Sequence, residues 1–142
     1  MGKIKIRYVY IFLILIIFLI VGCREDIIEP DNPAGNKNSP FRTEKENYFD
    51  VAINAEGLTT EMIFDTYFNS ESNFITVYVN NRQNGLLQIN IFSKENKLLF
   101  TNRIEIGEVN IRQRISRGIP AKLKLSFDNF TGKIRIVLSR SS

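Results

Sequence analysis

Lys122-Leu123-Lys124-Leu125-Ser126-Phe127 decides the fold class. Apolar side chains fall at every second position with polar ones between them, and a chain of period two separates a dry face from a wet face only as a strand. The pattern returns after Asn129-Phe130-Thr131-Gly132, where Ile134, Ile136 and Leu138 alternate with Lys133, Arg135 and Val137. Working backward, Phe49, Val51 and Ile53 alternate with Asp50, Ala52 and Asn54, Phe74, Thr76 and Tyr78 with Ile75, Val77 and Val79, and Leu87, Ile89 and Ile91 with Gln88, Asn90 and Phe92. Further runs span 59–68, 97–106 and 109–115, and the breaks between runs include Asn84-Gly85, Lys94-Glu95-Asn96, Ile106-Gly107 and Gly118-Ile119-Pro120. About eight short strands with no amphipathic helix predict an all-β fold, an antiparallel β-sandwich over residues 46–142.

The chain opens differently. Lys3, Lys5 and Arg7 precede an uncharged run from Tyr8 to Val21, which is too short for the roughly 20 residues of a spanning helix and suits the core of a signal peptide. The run closes on Ile20-Val21-Gly22-Cys23, with an aliphatic residue three before the cysteine and small residues directly before it. This motif resembles the lipobox of bacterial lipoproteins. The resemblance implies cleavage of 1–22, a diacylglyceryl group on Cys23, and attachment to the cell membrane, in a Gram-negative envelope the outer membrane, facing the periplasm or the outside. An uncleaved signal anchor is the alternative. A single acyl chain, at about 0.8 kcal/mol per buried methylene, holds a protein only marginally, whereas two or three together hold it durably.

Residues 24–40 carry three prolines and mostly polar neighbours, so 23–45 is expected to be a flexible tether whose 17-residue core reaches at most about 60 Å. Glu25-Asp26 behind the cysteine looks like the surface-export signal of some Gram-negative lipoproteins; the plain reading is a pair of solvating charges. Within the folded part, Leu87–Ile104 and Phe127–Leu138 resemble, in pattern, the immunoglobulin-like accessory domains of surface lipoproteins.

Charge is unevenly distributed. Residues 23–71 hold 4 basic and 11 acidic groups, and 72–142 hold 12 basic and 4 acidic. Such polarity either orients the domain on a surface or pairs its own strands. Arg112 and Arg114 alternate with Ile111 and Ile115. If 109–115 and 121–127 form a hairpin through Ser116–Pro120, then Arg112, Arg114, Lys122 and Lys124 share a face, with Arg117 at its rim. That face would bind an anion, such as a lipid phosphate or acidic polysaccharide. The bland reading is that these charges keep the sheet soluble and blunt its edges.

Ligand stacking is the other recognition device to consider, and Tyr48, Tyr67 and Tyr78 are its candidates. Absence of Trp counts against a broad sugar platform, and Tyr also serves at the edge of sandwich cores.

Catalytic chemistry finds little support. Cys23 is the only cysteine and there is no histidine, which excludes the common zinc sites, the Ser-His-Asp triad and the Cys-His dyad. Asp50, Glu56, Glu61 and Asp65 could compose the two carboxylates of a glycoside hydrolase, but no spacing selects a pair. No calcium loop or phosphate-binding Gly-rich loop is present. The expectation is a membrane-anchored, non-enzymatic interaction or accessory module of the cell envelope, with an envelope protein or a glycan as partner. No cofactor, no metal and no nucleic acid is expected. A carbohydrate-active or carbohydrate-binding domain and an anion binder are the alternatives.

Overall fold

The structure, a computed structural model, describes residues 32–33, 35–105 and 107–141. The expected signal peptide, Cys23 and the first part of the expected tether lie outside them. Six antiparallel strands follow: β1 (Pro40–Lys45), β2 (Tyr48–Asp65), β3 (Asn73–Ser93), β4 (Leu98–Ile104), β5 (Val109–Ile115) and β6 (Pro120–Arg140). No helix occurs among the described residues. The all-β antiparallel sandwich is therefore observed.

Each of the eight expected runs contains a strand, although 59–68 outlasts β2 by three residues and β4 is shorter than 97–106, and six of the runs are joined in pairs. β2 joins the runs on either side of Gly57, β3 those around Asn84-Gly85, and β6 those around Asn129–Gly132. A straight 18-residue strand would span about 55 to 60 Å. Yet Asn47, just before β2, donates its amide to the carbonyl of Tyr67, just after it, at 2.8 Å. Inside the molecule, Phe49 and Phe64, at opposite ends of β2, bring their ring centroids to 5.7 Å. β2 is folded back on itself, and β3 and β6 bend at the same level.

The cause is a set of bulges. From Ala55↔Gly132 to Leu58↔Phe130, β2 advances three residues while β6 advances two, and from there to Thr60↔Phe127 the excess lies on β6. Between Asn80↔Lys133 and Asn84↔Thr131, β3 advances four residues against two. Extra residues bend and twist a strand. Left-handed backbone at Gly57, Asn81, Gly85 and Asn129, with φ of 57, 51, 81 and 47°, supplies the turn of direction.

Two half-sheets result. The first orders β1, the start of β2, the end of β6, the start of β3, and β5; the second orders the end of β2, the start of β6, the end of β3, and β4. Their facing sides carry the alternating apolar residues, including Phe49, Ile53, Ile75, Leu87, Leu125 and Ile136, merged in one buried cluster. Burying each of these large side chains contributes about 1.5 to 3 kcal/mol.

Two expectations need correction. Residues 40–45, assigned to the tether, form β1, closed onto β2 by the two-residue turn Glu46-Asn47 with Asn47 at φ 57°. Ordered contacts start earlier still: Asn38 accepts from the Glu56 amide at 2.8 Å and donates to the Glu56 carbonyl at 3.0 Å. Nor do 109–115 and 121–127 form a hairpin. β5 pairs with the start of β3, and the start of β6 lies in the other half-sheet between β2 and β3. A strand can turn onto its sequence neighbour only if that neighbour's edge is open, and both edges of β6 are taken.

Candidate functional site

The outer side of the first half-sheet is unlike an ordinary wet face. Successive levels across the strands read Phe41, Ala52, Arg135, Tyr78 and Asn110; then Thr43, Asp50, Val137, Thr76 and Arg112; then Lys45, Tyr48, Ser139, Phe74 and Arg114. Four aromatic rings surround a charged pair. Phe41 and Tyr78 flank Arg135 at one level, and Tyr48 and Phe74 stand two levels away.

Asp50 and Arg135 hold the centre. Arg135 Nε donates to Asp50 Oδ1 at 3.0 Å, Nη2 donates to Oδ2 at 2.6 Å, and the Tyr48 hydroxyl donates to the same Oδ2 at 3.2 Å. Ala52, the register partner of Arg135, adds no bulk beyond a methyl, which leaves room for the guanidinium to lie over β2 and reach the carboxylate diagonally. Asp50 is 8% exposed although it points to the outer side. Burial, then the charge and hydrogen bond of Asp50, push the Tyr48 phenol above its ordinary value. The hydrogen bond to Asp50 raises Arg135 further, against the opposing effect of burial. The phenol and the guanidinium are thus both bonded to one carboxylate, the guanidinium in bidentate geometry. Both oxygens of Asp50 are engaged, Oδ1 by Arg135 and Oδ2 by Arg135 and Tyr48.

The border is basic. Arg112 places its guanidinium carbon 4.6 Å from the centroid of Phe74, and Arg114 donates to Ser72 Oγ from Nε at 3.2 Å and Nη2 at 2.8 Å. Lys122 and Lys124 are elsewhere, on the outer side of the second half-sheet. There Lys124 pairs with Glu61 at 2.7 Å and Lys122 stands opposite Asp65. The four cations expected on one face therefore divide between opposite sides of the sandwich. Part of the uneven charge of the sequence is used between β2 and β6, where Asp50 pairs with Arg135 and Glu61 with Lys124.

Of the tyrosines, Tyr48 and Tyr78 share the face, while Tyr67 follows β2 at the end of the sandwich and is 64% exposed. The four acids considered as a catalytic pair are dispersed along β2: Asp50 binds Arg135, Glu56 pairs with Lys37, and Glu61 and Asp65 face the lysines of β6. Among the described residues no cluster of three potential metal ligands occurs. Sequence reasoning passed over Arg135, Phe41 and Phe74. The available signal was a charge embedded in an apolar strand, Ile134-Arg135-Ile136, opposite another, Phe49-Asp50-Val51.

No family model and no curated protein matches the chain. Among solved structures, it is similar to a family 4 carbohydrate-binding module at 8% identity and a TM-score of 0.39, covering 83% of this chain and 92% of that one. A family 6 carbohydrate-binding module, studied by binding-subsite dissection, is 17% identical, with 75% and 86% covered and a TM-score of 0.32. CsCBM6-3 from Clostridium stercorarium, solved with cellobiose, is 13% identical, with 75% and 85% covered and a TM-score of 0.30. Neither the identities nor the overlaps transfer a ligand to this chain.

Proposed function

We propose that the protein is a lipid-anchored, non-enzymatic binding module of a bacterial cell envelope, and that the outer face of its first half-sheet takes a saccharide. The observation that carries the saccharide reading is the frame of Phe41, Tyr48, Phe74 and Tyr78 around the fixed Asp50–Arg135 pair. Across the three strand spacings from β1 to β3, Phe41 and Tyr78 lie about 14 Å apart. A sugar ring offers apolar C–H faces and a rim of hydroxyls; aromatic rings receive the faces, and fixed polar groups read the rim. Tyr and Phe here take the place of Trp. Arg112 and Arg114 at the border extend the range to acidic saccharides.

Anchoring rests on Ile20-Val21-Gly22-Cys23. Nine residue steps separate Cys23 from Asn32, a covalent reach of at most about 32 Å. Because Asn32 and Asn38 bond to Asn54 and Glu56 at the bend of β2, the bend end of the sandwich stays within that reach of the anchored cysteine.

Two experiments test the reading. Cells fed labelled palmitate should label the protein, and Cys23→Ser should abolish the label; retained label, or a mature product that keeps residues 1–22, defeats the anchor. Isothermal titration of the detergent-solubilised full chain with neutral and acidic oligosaccharides should show binding that Tyr78→Ala weakens about tenfold, the loss of one well-placed ring contact and its hydrogen bond. Binding indifferent to Tyr78 defeats the saccharide face.

A further inference from the structure

A polar crevice of about 420 Å³ opens where the long strands bend. Asn54 of β2, Asn81 and Gln83 of β3, Thr131 and Lys133 of β6, and Lys37 from the segment before β1 line it. None of its lining residues is aromatic. Its shape is built and not incidental. Thr131 Oγ1 accepts the Gly57 amide at 2.9 Å, and Asn54 Oδ1 accepts the Asn32 amide at 3.0 Å, so both side chains are held in place. At Gly132 a Cβ would stand 3.1 Å from Arg82 Cα and 3.3 Å from the Asn80 carbonyl oxygen, so a side chain there would push the strands apart by a few tenths of an ångström.

The crevice continues the aromatic face. Asn54, Lys133 and Asn80 form one level of the first half-sheet, directly beside the level of Ala52, Arg135 and Tyr78. Levels on one face are two residues apart, about 7 Å, so the path from Tyr48 to Asn54 measures about 20 Å. That path exceeds one sugar ring and suits several in a row.

We propose that the crevice is the end site of an extended glycan whose other units lie on the aromatic face; this rests on the saccharide reading above. The two regions recognise by different means. Rings on the face stack and tolerate variation, whereas the carboxamides of Asn54, Asn81 and Gln83 each donate and accept, as a sugar hydroxyl does. The face therefore binds short members by itself, and the crevice, reached only by a chain long enough to span the path, reads the hydroxyl stereochemistry of the terminal unit and adds the affinity gained with length.

Gluco-, manno- and N-acetylglucosamine oligosaccharides and oligogalacturonate, from one to six units, titrated into the full chain in detergent, test this. For the series that binds, affinity should rise at least about tenfold between two and six units, the equivalent of about 1.4 kcal/mol. Gln83→Ala, and Gln83→Trp to fill the space, should each remove that rise while leaving binding of the short members and the melting temperature unchanged. Affinity independent of length, or a rise that survives both variants, overturns the end site and leaves the face intact. If no member of any series binds, the saccharide reading falls, and the end site with it.

Discussion

Gly85 of β3 lies against the backbone of Asn129 of β6 so closely that a Cβ on Gly85 would overlap the Asn129 carbonyl group. Two bent strands touch at their bends, and both residues have positive φ. Gly85→Ala is expected to destabilise the fold by about 3 kcal/mol or more, combining backbone strain with forced separation of the strands. Gly57→Ala is the control. Its φ is also positive, but the nearest atom to an added Cβ is the Asn129 amide oxygen at 3.9 Å, so the cost should be only the left-handed penalty of about 1 to 2 kcal/mol. Urea unfolding of both variants checks the difference; equal losses would mean that the contact at Gly85 is relaxed in solution.

The Asp50–Arg135 pair should be energetically coupled. A double-mutant cycle with Asp50→Ala and Arg135→Met, the latter keeping the apolar stem, is expected to return about 1 to 2 kcal/mol, reduced from a dry pair because the Arg135 side chain is 27% exposed. Additive effects would show the pair to be ornamental.

Tyr48 should ionise after an ordinary phenol. Its raised value in the folded state means that the protein prefers the neutral phenol, so its contribution to stability is complete below about pH 10 and is lost as pH rises through the folded value. Ultraviolet difference titration of the wild type against Tyr48→Phe isolates this group. Removing Asp50 as Asp50→Asn should move the midpoint down toward the ordinary value, and an unmoved midpoint would assign the shift to burial alone.

Asn38 fastens the segment before β1 by using its side chain as a surrogate strand against Glu56. Asn38→Ala should accelerate amide hydrogen exchange at Glu56 by about tenfold, while core amides such as Ile136 keep their protection. Unchanged exchange at Glu56 would show that the segment is held by other contacts.

Much of the fold was legible because period-two alternation survives wherever one face is buried. Leu123 to Phe127 and Ile134 to Leu138 show it most regularly, and every expected run contains a strand. Continuity was not legible. Asn84-Gly85 and Asn129–Gly132 have the chemistry of hairpin turns, since left-handed Gly and Asn serve a turn and a bulge alike, and the choice depends on whether the next strand finds an open edge. β1 was missed because Pro40-Phe41-Arg42-Thr43-Glu44-Lys45 buries little on either face, and an edge strand held by backbone bonds has no alternation to read. At the site, Tyr48 and Tyr78 could be named from exposure preferences. Their meeting with Arg135 needed β6 to lie between β2 and β3, a long-range order that no local pattern encodes.

The most direct measurement is heteronuclear NMR mapping on the isotope-labelled full chain in micelles, titrated with the oligosaccharide that binds best. Shifts should concentrate on Phe41, Tyr48, Phe74, Tyr78 and the Arg135 side chain. Shifts confined to Gln88, Asn90 and Thr101, on the opposite side of the sandwich, would contradict the assignment of the binding face.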